Sequence, residues 1–217
     1  RDIKSLRDIR PSFLCGSDLY YGIIMRFVRN STAFLGEEHD AVSIAITYYR
    51  SRHPATPRLN EDIWEEIEQI ALFKYAARPH WGKNRAVGFI GAARKYPSLR
   101  RFLAVKNRFD PQGLFSSAWS DAMLGLGPLP LSRADGCALE GLCICSTDAH
   151  CAPDLGYRCR RGRIYREARV CRKVEDEQEE DAEACGKLNE NEAELVEQQS
   201  EYPKMQMVGV INIFPPD

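Results

Sequence analysis

The sequence predicts an α+β fold, in which an antiparallel sheet carries helices on one face, followed by a small Cys-rich disulfide module and an acidic tail. Two strand-like runs come before two runs with helical spacing, which is the order of an α+β domain. Six of the eight cysteines then fall within a short stretch, and acidic residues dominate the segment after it. These changes of composition divide the 217 residues into segments 1–127, 128–173 and 174–217.

Two stretches near the N-terminus have the pattern of β-strands. Residues 19–28 are nearly all apolar and are interrupted by Arg26, whose charge would cost free energy there unless it were paired or used. Residues 40–50 alternate, with larger apolar side chains on one face and Ser43, Ala45 and Thr47 on the other. The second face is small and mildly polar, as a pocket wall or a closely packed neighbouring strand would require.

Two further stretches have helical spacing. Residues 58–77 form the stronger one, with Asn60 as the predicted N-cap and a core stripe of Ile63, Ile67 and Ile70. Pro97 is predicted to open the second helix, whose apolar residues 99, 102 and 103 should face inward. Between the two helices, the short apolar run 87–90 is predicted to be a strand.

Residues 78–85, Arg-Pro-His-Trp-Gly-Lys-Asn-Arg, are the most unusual local sequence in the chain. An imidazole, an indole and three cations lie within eight residues. Proline before His80 favours an extended entry, and Gly82 allows the backbone to pass close to another group. Such a segment suits contact with a flat ring or an anion, although a turn with one packed Trp and solvated cations has the same local sequence.

The cysteines at positions 137, 143, 145, 151, 159 and 171 lie among Gly, Pro and Arg, with few large apolar residues. A segment of this composition cannot build its own hydrophobic core and needs disulfides or a metal. Disulfides are the preferred interpretation, and zinc is the alternative, since Cys143-x-Cys145 lacks the usual Cys-x-x-Cys spacing. The pairing stays open. Cys15 and Cys185 flank the module and either pair with each other or stay free.

Charge and motifs exclude several classes of function. Residues 174–201 contain twelve acidic residues and one lysine, so the remainder of the chain carries about +10 of the total of −1. The basic residues are scattered and no nucleic-acid-binding signature accompanies them, so we expect no nucleic-acid partner. No apolar run approaches the roughly 20 residues of a membrane span, and no dinucleotide-binding motif is present. Asn30-Ser31-Thr32 is an acceptor pattern for N-glycosylation.

Several segments resemble the aldonolactone oxidase branch of the vanillyl-alcohol-oxidase flavoprotein superfamily, and in particular the plant L-gulonolactone oxidase group. The resemblance runs from about residue 15 to 174. The segments that carry it are Gly22–Arg26, Ile46–Arg50, Glu65–Tyr75, His80–Arg85, Asp110–Ser117 and Gly136–Cys145. The last is the most specific, because the wider superfamily lacks a Cys-rich tail.

The resemblance implies the C-terminal cap domain of a two-domain enzyme. An upstream domain would hold FAD, and the cap would close over the flavin and bind a sugar lactone. The implied reaction moves hydride from the lactone to the flavin, gives an ascorbate-type product and reduces O2 to H2O2. Without an FAD domain, this chain alone is expected to be inactive and to bind FAD weakly or not at all.

The resemblance also assigns residues. Arg26 matches the arginine of a Glu-x-Arg strand motif, and Lys83 matches the motif lysine that contacts substrate oxygen near the flavin. Both are candidates for catalysis and for substrate binding, Lys83 and His80 for contact with the flavin, and Thr47 for substrate binding. Ile24 stands where the family motif has glutamate, which puts the substrate range in doubt. No metal site is assigned.

Two other classes of function remain open. One is a secreted Cys-rich binding or structural protein that has lost catalysis, which Ile24 favours. The other is a zinc-dependent interaction module at residues 137–171. Disulfides place the protein in the secretory pathway, outside the cell or in the cell wall, with membrane association open. Asn30 would then be a glycosylation site.

Overall fold

The computed structural model describes residues 1–14, 23–47, 55–82, 84–174 and 207–213. Helices are α1 (Asp2–Ile9), α2 (Glu61–Gln69), α3 (Leu99–Phe109) and α4 (Ala118–Met123). Strands are β1 (Ile23–Val28), β2 (Ala41–Thr47), β3 (Arg78–Pro79), β4 (Tyr157–Arg161), β5 (Arg169–Lys173) and β6 (Met207–Ile213). Short 3-10 segments include Ala86–Phe89 and Ala92–Lys95, and a π-helical turn, Ile70–Lys74, extends α2.

The main sheet has four antiparallel strands in the order β1-β2-β6-β3. The predicted antiparallel pairing of the first two strands is confirmed, with Arg26 directly opposite Ser43. The short apolar run 205–214 predicts an edge strand or an unrelated terminal sequence. The backbone of β6 instead lies inside the sheet, between β2 and β3.

The core forms between this sheet and α2. Ile63, Ile67 and Ile70 are each at most 4% exposed and pack with Ile46 of β2, so the predicted core stripe is confirmed. Helix α1 contributes the fully buried Leu6 to the same core, although its sequence had given no clear helical signal. The apolar face of the alternating strand β2 thus packs against the apolar stripe of α2, because each element must bury its apolar side against another.

The predicted N-cap residue of α2 is at the expected position, but the predicted capping hydrogen bond is wrong. Asn60 occupies the N-cap position in a left-handed conformation, φ +50°, but its side chain does not cap the helix. Its amide donates to the Ser12 carbonyl at 2.8 Å instead. The carboxylate of Glu61 accepts from the Arg58 backbone N–H at 2.8 Å, so an acidic residue of the first turn binds the chain that enters the helix.

Two other local predictions need correction. The run 87–90 is part of a 3-10 segment and not a strand, because Phe89 turns inward against Ala122 and Met123. Helix α3 begins close to the predicted position, but none of its residues is fully buried. The prediction that both helices pack on one face of the sheet therefore holds for α2 and fails for α3. The apolar spacing of α3 predicted which side of the helix is less polar. It did not predict what packs against that side.

The Cys-rich segment contains the three predicted disulfides. The pairs are Cys137–Cys143, Cys145–Cys159 and Cys151–Cys171. Zinc binding requires thiolates, and all six sulfurs are engaged in S–S bonds, so the structure supports the disulfide interpretation. Strands β4 and β5 form the antiparallel hairpin of this module. Cys15 and Cys185 lie outside the described residues.

Helix α2 also binds the Cys-rich module through polar side chains on its other side. The fully buried carboxylate of Glu66 accepts three backbone N–H groups of residues 163–165, at 2.6 to 2.8 Å. The Gln69 amide makes two hydrogen bonds with the Arg169 backbone, and Asp62 pairs with Arg172 at 2.9 Å. The module is therefore fixed to the helix that forms the core. The boundaries at 127/128 and 173/174 stay predictions.

The disulfides give a direct chemical prediction. Mass spectrometry of unreduced protein should find residues 137–171 lighter by six hydrogens than the reduced segment, because each S–S bond removes two. Peptide mapping should link the pairs found in the structure. Six free thiols in protein from an oxidising compartment would contradict the interpretation.

Candidate functional site

Arg26 is the predicted catalytic residue whose surroundings are best defined. It lies on β1, an edge strand, on the sheet face opposite to the α2 core, because it pairs with Ser43 while Ile44 and Ile46 face the helix. Its side chain is exposed. Within the described ranges it has no hydrogen-bond or ion-pair partner. The strand therefore presents a planar cation beside the small Ser43 side chain.

The other predicted residues of this sheet lie on the neighbouring positions. Ile24 shares the face of Arg26 and is half-buried, so the position of the family's glutamate is occupied here by an apolar group. Thr47 is the last residue of β2, at an irregularity in the pairing of β2 with β6. Asn30 follows β1 in an exposed turn together with Ser31 and Thr32, and its backbone N–H donates to Asp40.

His80 is exposed and follows β3 at the opposite edge of the sheet. Its Nδ1 accepts the backbone N–H of Gly82 at 3.1 Å, and its carbonyl accepts the Asn84 amide at 2.7 Å. Because Nδ1 acts as an acceptor, the neutral ring carries its proton on Nε2. His80 thus has a fixed tautomer whose second nitrogen is a donor.

The remaining aromatic and basic residues of this segment are structural. Trp81 packs against Phe89 and Tyr96, with ring centroids 5.6 and 5.3 Å apart, and is not free to stack on a ligand. Arg78 is buried and pairs with Glu37 at 3.2 Å and with Glu38. Of the three cations in residues 78–85, Arg78 and, as described below, Arg85 form ion pairs within the protein. Lys83 lies outside the described residues.

Lys95 supports this segment and was missed by the sequence analysis. Its ammonium donates to the Leu72 and Ala77 carbonyls at 2.7 and 2.8 Å, at the turn that leads from α2 to Arg78. Burial, together with the nearby Arg78, lowers the pKa of Lys95 to about 8. No sequence motif marks such a residue, because its partners are backbone carbonyls more than fifteen residues away.

Arg85 belongs to a buried cluster of charges on α2. Its guanidinium pairs with Glu65 at 2.8 Å and with Glu68, while Arg58 pairs with Glu61 at 3.1 Å and with Glu65 at 3.3 Å. In these ion pairs between described residues, three carboxyls thus share two guanidiniums, which leaves one negative charge in excess. Burial raises the pKa of Glu61 and of Glu68 to about 7, so the cluster retains a proton far above the ordinary value of 4.5.

The retained proton predicts a pH-dependent stability. Between pH 4.5 and 7 the folded chain holds a proton that the unfolded chain releases, so the cluster's contribution falls as pH rises. Glu68→Gln removes that proton. The difference in unfolding free energy, variant minus native chain, should therefore be higher at pH 8 than at pH 5 by roughly 2 kcal/mol. Urea unfolding at both pH values measures the difference.

The control for this prediction is Glu167→Gln, which changes an exposed carboxyl in the Cys-rich module. It should shift stability equally at both pH values. An equal shift for Glu68→Gln at pH 5 and pH 8 would contradict the assignment of the retained proton to this cluster.

The predicted site residues are not all brought together. Arg26 on β1 and His80 after β3 are separated by three strand spacings, about 14 Å. A cavity of about 210 Å³ lies near the α2 core, lined mainly by apolar side chains such as Ile44 and Ile67. The described residues that line it include none of the predicted site residues, and it lies on the other face of the sheet from Arg26.

A flavin would fit these residues in part. Arg26 offers an exposed cation, and His80 offers an Nε2–H donor. Both suit the edge of a ring that gains negative charge. The phosphates of a dinucleotide need a cradle of backbone N–H groups. Within the described ranges no such cradle adjoins Arg26 or His80, and the Gly82 N–H is already bound to the imidazole. Arg26 and His80 could thus contact the edge of a flavin ring, while its phosphates would need groups other than these two residues.

Comparison with known proteins identifies the family. The sequence model of D-arabinono-1,4-lactone oxidase matches residues 9–123. The chain belongs to this family. Residues 134–173 match a second model, the C-terminal domain of L-gulonolactone oxidase 2-like proteins, so the resemblance found in the sequence is confirmed over most of its predicted range. No solved structure matches the chain.

Several curated relatives of this lactone oxidase family come from Arabidopsis thaliana. L-gulonolactone oxidase 5 is 60% identical over 173 residues, which are 80% of this chain and 29% of that protein. L-gulonolactone oxidase 2 is 59% identical over 174 residues, with the same shares. A protein named probable truncated L-gulonolactone oxidase 7, mitochondrial, is 55% identical over 171 residues, 78% of this chain and 68% of its own length. The chain thus spans under a third of the first two relatives.

The described helices include none with the length and apolar character that crossing a membrane requires.

Proposed function

We propose that this chain is the substrate-side part of an FAD-dependent sugar-1,4-lactone oxidase of the L-gulonolactone or D-arabinonolactone type. An upstream domain would bind most of the FAD, and the sheet described here would form the opposite wall. The observation that carries the proposal is the exposed Arg26 on β1, a cation without a partner among the described residues, in a chain of the lactone oxidase family.

Arg26 would act on the lactone. As a ring hydroxyl loses its proton, negative charge grows on the oxygen, and a fixed guanidinium beside it stabilises the transition state. The planar fork can donate two parallel hydrogen bonds to neighbouring oxygens, which also orients the sugar.

Lys83 and His80 would act from the other edge of the sheet. The Lys83 ammonium would bind substrate oxygen close to the flavin, and the His80 Nε2–H would donate to the flavin edge. When bound, FAD would accept hydride from the lactone and pass the electrons to O2, which yields H2O2. The protein residues supply orientation and positive charge for this chemistry.

The substrate is best described as an aldono-1,4-lactone, and the product as ascorbate-like. Thr47 at the end of β2 would contribute a hydroxyl to sugar recognition. Ile24 removes the carboxylate that the family motif places two residues before Arg26. A lactone with fewer hydroxyls to bind, or with a different arrangement of them, would suit that apolar position better.

Ile24 also favours a second candidate, a non-catalytic secreted Cys-rich protein derived from this family. In that case the sheet would retain its fold without binding flavin. Absorbance of purified protein that includes the upstream domain separates the two, since flavin colour is expected only for the oxidase.

The same proposal includes a location in the secretory pathway, with the mature protein outside the cell or in the cell wall. Three disulfides favour an oxidising compartment. The exposed Asn30-Ser31-Thr32 turn offers a glycan acceptor. One relative carries "mitochondrial" in its name. Sensitivity of the native protein to a glycan-removing enzyme supports secretion, and co-fractionation with mitochondria contradicts it.

The function is tested by joining the chain to the upstream portion of L-gulonolactone oxidase 5 in place of that protein's own C-terminal part. The hybrid should bind flavin and release peroxide when an aldono-1,4-lactone and O2 are supplied. A hybrid that holds flavin and releases no peroxide with any of several sugar lactones would overturn the proposal.

A further inference from the structure

We infer that an exposed apolar surface between residues 105 and 119 is the docking face for the upstream, flavin-binding portion of the full-length oxidase. Five large apolar side chains form this docking surface, namely Val105, Phe109, Leu114, Phe115 and Trp119. The inference rests on the proposed function, because it names the surface against which the upstream domain would pack. None of the five belongs to the residues proposed to contact lactone or flavin.

The first observation is that helix α3 lacks a buried side. It has eleven residues, and none of them is fully buried. A helix of this length is marginal in water by itself, and helices in proteins gain most of their stability from packing of the apolar face. Val105 and Phe109, one turn apart, are exposed instead, Phe109 to 79%. Within the described part of the chain this side of α3 stays uncovered, so a docked partner would complete its packing.

The second observation is that the loop after α3 holds its apolar residues in a defined conformation. The Asp110 carboxylate accepts the backbone N–H groups of Leu114 and Phe115 at 2.7 and 3.0 Å. The Lys106 ammonium donates to the Ser116 hydroxyl in the same turn. Leu114 and Phe115 are nevertheless 75% and 88% exposed. Apolar side chains that are ordered before binding cost less entropy on binding, so this loop is suited to docking.

The third observation is the charge around the docking surface. Helix α3 carries four cations and no acidic residue, namely Arg100, Arg101, Lys106 and Arg108. Arg100, Arg101 and Arg108 are exposed. Interfaces commonly combine an apolar centre with a polar rim of complementary charge. The partner that fits is therefore an apolar protein surface bordered by carboxylates.

The fourth observation connects the docking surface to the candidate site. Trp119 packs against Phe89 with ring centroids 5.8 Å apart, and Phe89 packs against Trp81 at 5.6 Å. Trp81 directly follows His80, the residue proposed to donate to the flavin edge. Two ring contacts thus join the docking surface to the neighbour of His80. A domain that brings flavin to His80 would therefore lie beside this surface.

The length of the relatives favours the upstream portion as the occupant. The D-arabinono-1,4-lactone oxidase match at residues 9–123 includes the whole docking surface. The matched part of this chain covers 29% of L-gulonolactone oxidase 5. Most of such a full-length relative lies outside the matched part, and a large domain is thus available to cover the five side chains.

Hydroxyl-radical footprinting of the isolated chain and of the hybrid with the upstream portion of L-gulonolactone oxidase 5 tests the inference. Phe109, Phe115 and Trp119 should be oxidised readily in the isolated chain. In the hybrid their oxidation should slow at least about fivefold, because the core of an interface is packed like a protein interior. Leu155, an exposed residue of the Cys-rich module, is the internal reference and should react equally in both proteins. Equal oxidation of the three aromatic residues in chain and hybrid would overturn the inference.

A double variant tests whether the exposed aromatic residues stabilise the docked state. Phe109→Ser with Phe115→Ser should leave the thermal midpoint of the isolated chain within about 1 °C, since both side chains are exposed there. The same variant should lower the midpoint of the hybrid by about 5 °C or more, because the interface loses two apolar anchors. Leu155→Ser is the matched control and should shift neither midpoint. Equal shifts of chain and hybrid in the double variant would contradict a docking role.

Other occupants of the docking surface give different results. Sedimentation of the hybrid with vesicles of phosphatidylcholine and phosphatidylserine, lost in the double variant, would assign the surface to a membrane and overturn the inference. Protection of the three aromatic residues that grows with the concentration of the isolated chain would assign it to a second copy, with the same consequence.

The footprinting result also separates the inference from the proposed function. A hybrid that protects the three aromatic residues but releases no peroxide with any lactone supports the docking surface and overturns the proposed function. A hybrid that releases peroxide while these residues stay fully reactive supports the proposed function and overturns the docking surface.

Discussion

Lys83→Ala should lower turnover of the flavin-loaded hybrid by about 100-fold or more. Loss of one preorganised group that stabilises developing charge typically costs this much. Arg26→Ala should have a similar effect, and Arg26→Lys should recover only part of it, because an ammonium does not replace a planar fork. The measurement is peroxide release with several sugar lactones, after absorbance has confirmed equal flavin content.

Two neighbouring cations serve as controls. Lys4→Ala changes an exposed lysine of α1, and Arg29→Ala changes an exposed arginine just after β1. Both variants should keep turnover within about twofold of the native hybrid, since surface substitutions rarely matter. Full activity in Lys83→Ala and Arg26→Ala would show that these residues are ordinary surface cations, and the catalytic assignment would be withdrawn.

Glu66→Ala should destabilise the folded chain by about 4 kcal/mol. The substitution leaves three backbone N–H groups at residues 163–165 without their acceptor, and each unsatisfied buried donor costs about 1 to 3 kcal/mol. Urea unfolding followed by fluorescence measures the loss. Trp64, which is 1% exposed and lies two positions before Glu66 in the sequence, is a suitable probe.

Glu167→Ala is the control for this prediction, because it removes an exposed carboxyl from the same segment of the module. It should change the unfolding free energy by less than about 0.5 kcal/mol. A loss below about 1 kcal/mol for Glu66→Ala would mean that the module is not fixed to α2 through this carboxylate.

The parts of the fold that the sequence predicted are those set by local periodicity. The apolar run of β1, the alternation in β2 and the stripe of Ile63, Ile67 and Ile70 each depend on residues within one element, and the structure contains two strands and a core helix there. The disulfide module was predictable because its composition left few other sources of stability.

The parts that could not be predicted depend on contacts between distant residues. Glu61, Glu65 and Glu68 look like the solvated side of a helix, yet they are buried against Arg58, Arg85 and the module. Periodicity cannot reveal this, because the partners come from residues before and after the helix and from beyond position 136. Helix α3 is the opposite case. Its apolar residues were predicted to face inward, but none of them is fully buried.

The same limit applies to the candidate site. The sequence marked the segment 78–85 as unusual, but not which of its cations are structural. Ion pairs of Arg78 with residues 37 and 38, and of Arg85 with α2, bring together groups 17 to 41 positions apart. Arg26 was singled out because a buried charge within an apolar strand is costly unless it is used, but its side chain is exposed, so its role in the site stays a prediction.

Anaerobic reduction of the flavin in the hybrid tests the central claim most directly, because it isolates hydride transfer from the reaction with O2. We predict that an aldono-1,4-lactone bleaches the flavin absorbance of the native hybrid, and that Arg26→Ala slows the bleaching by about 100-fold. Flavin that stays oxidised in the native hybrid with every lactone, although a chemical reductant bleaches it, would contradict the claim.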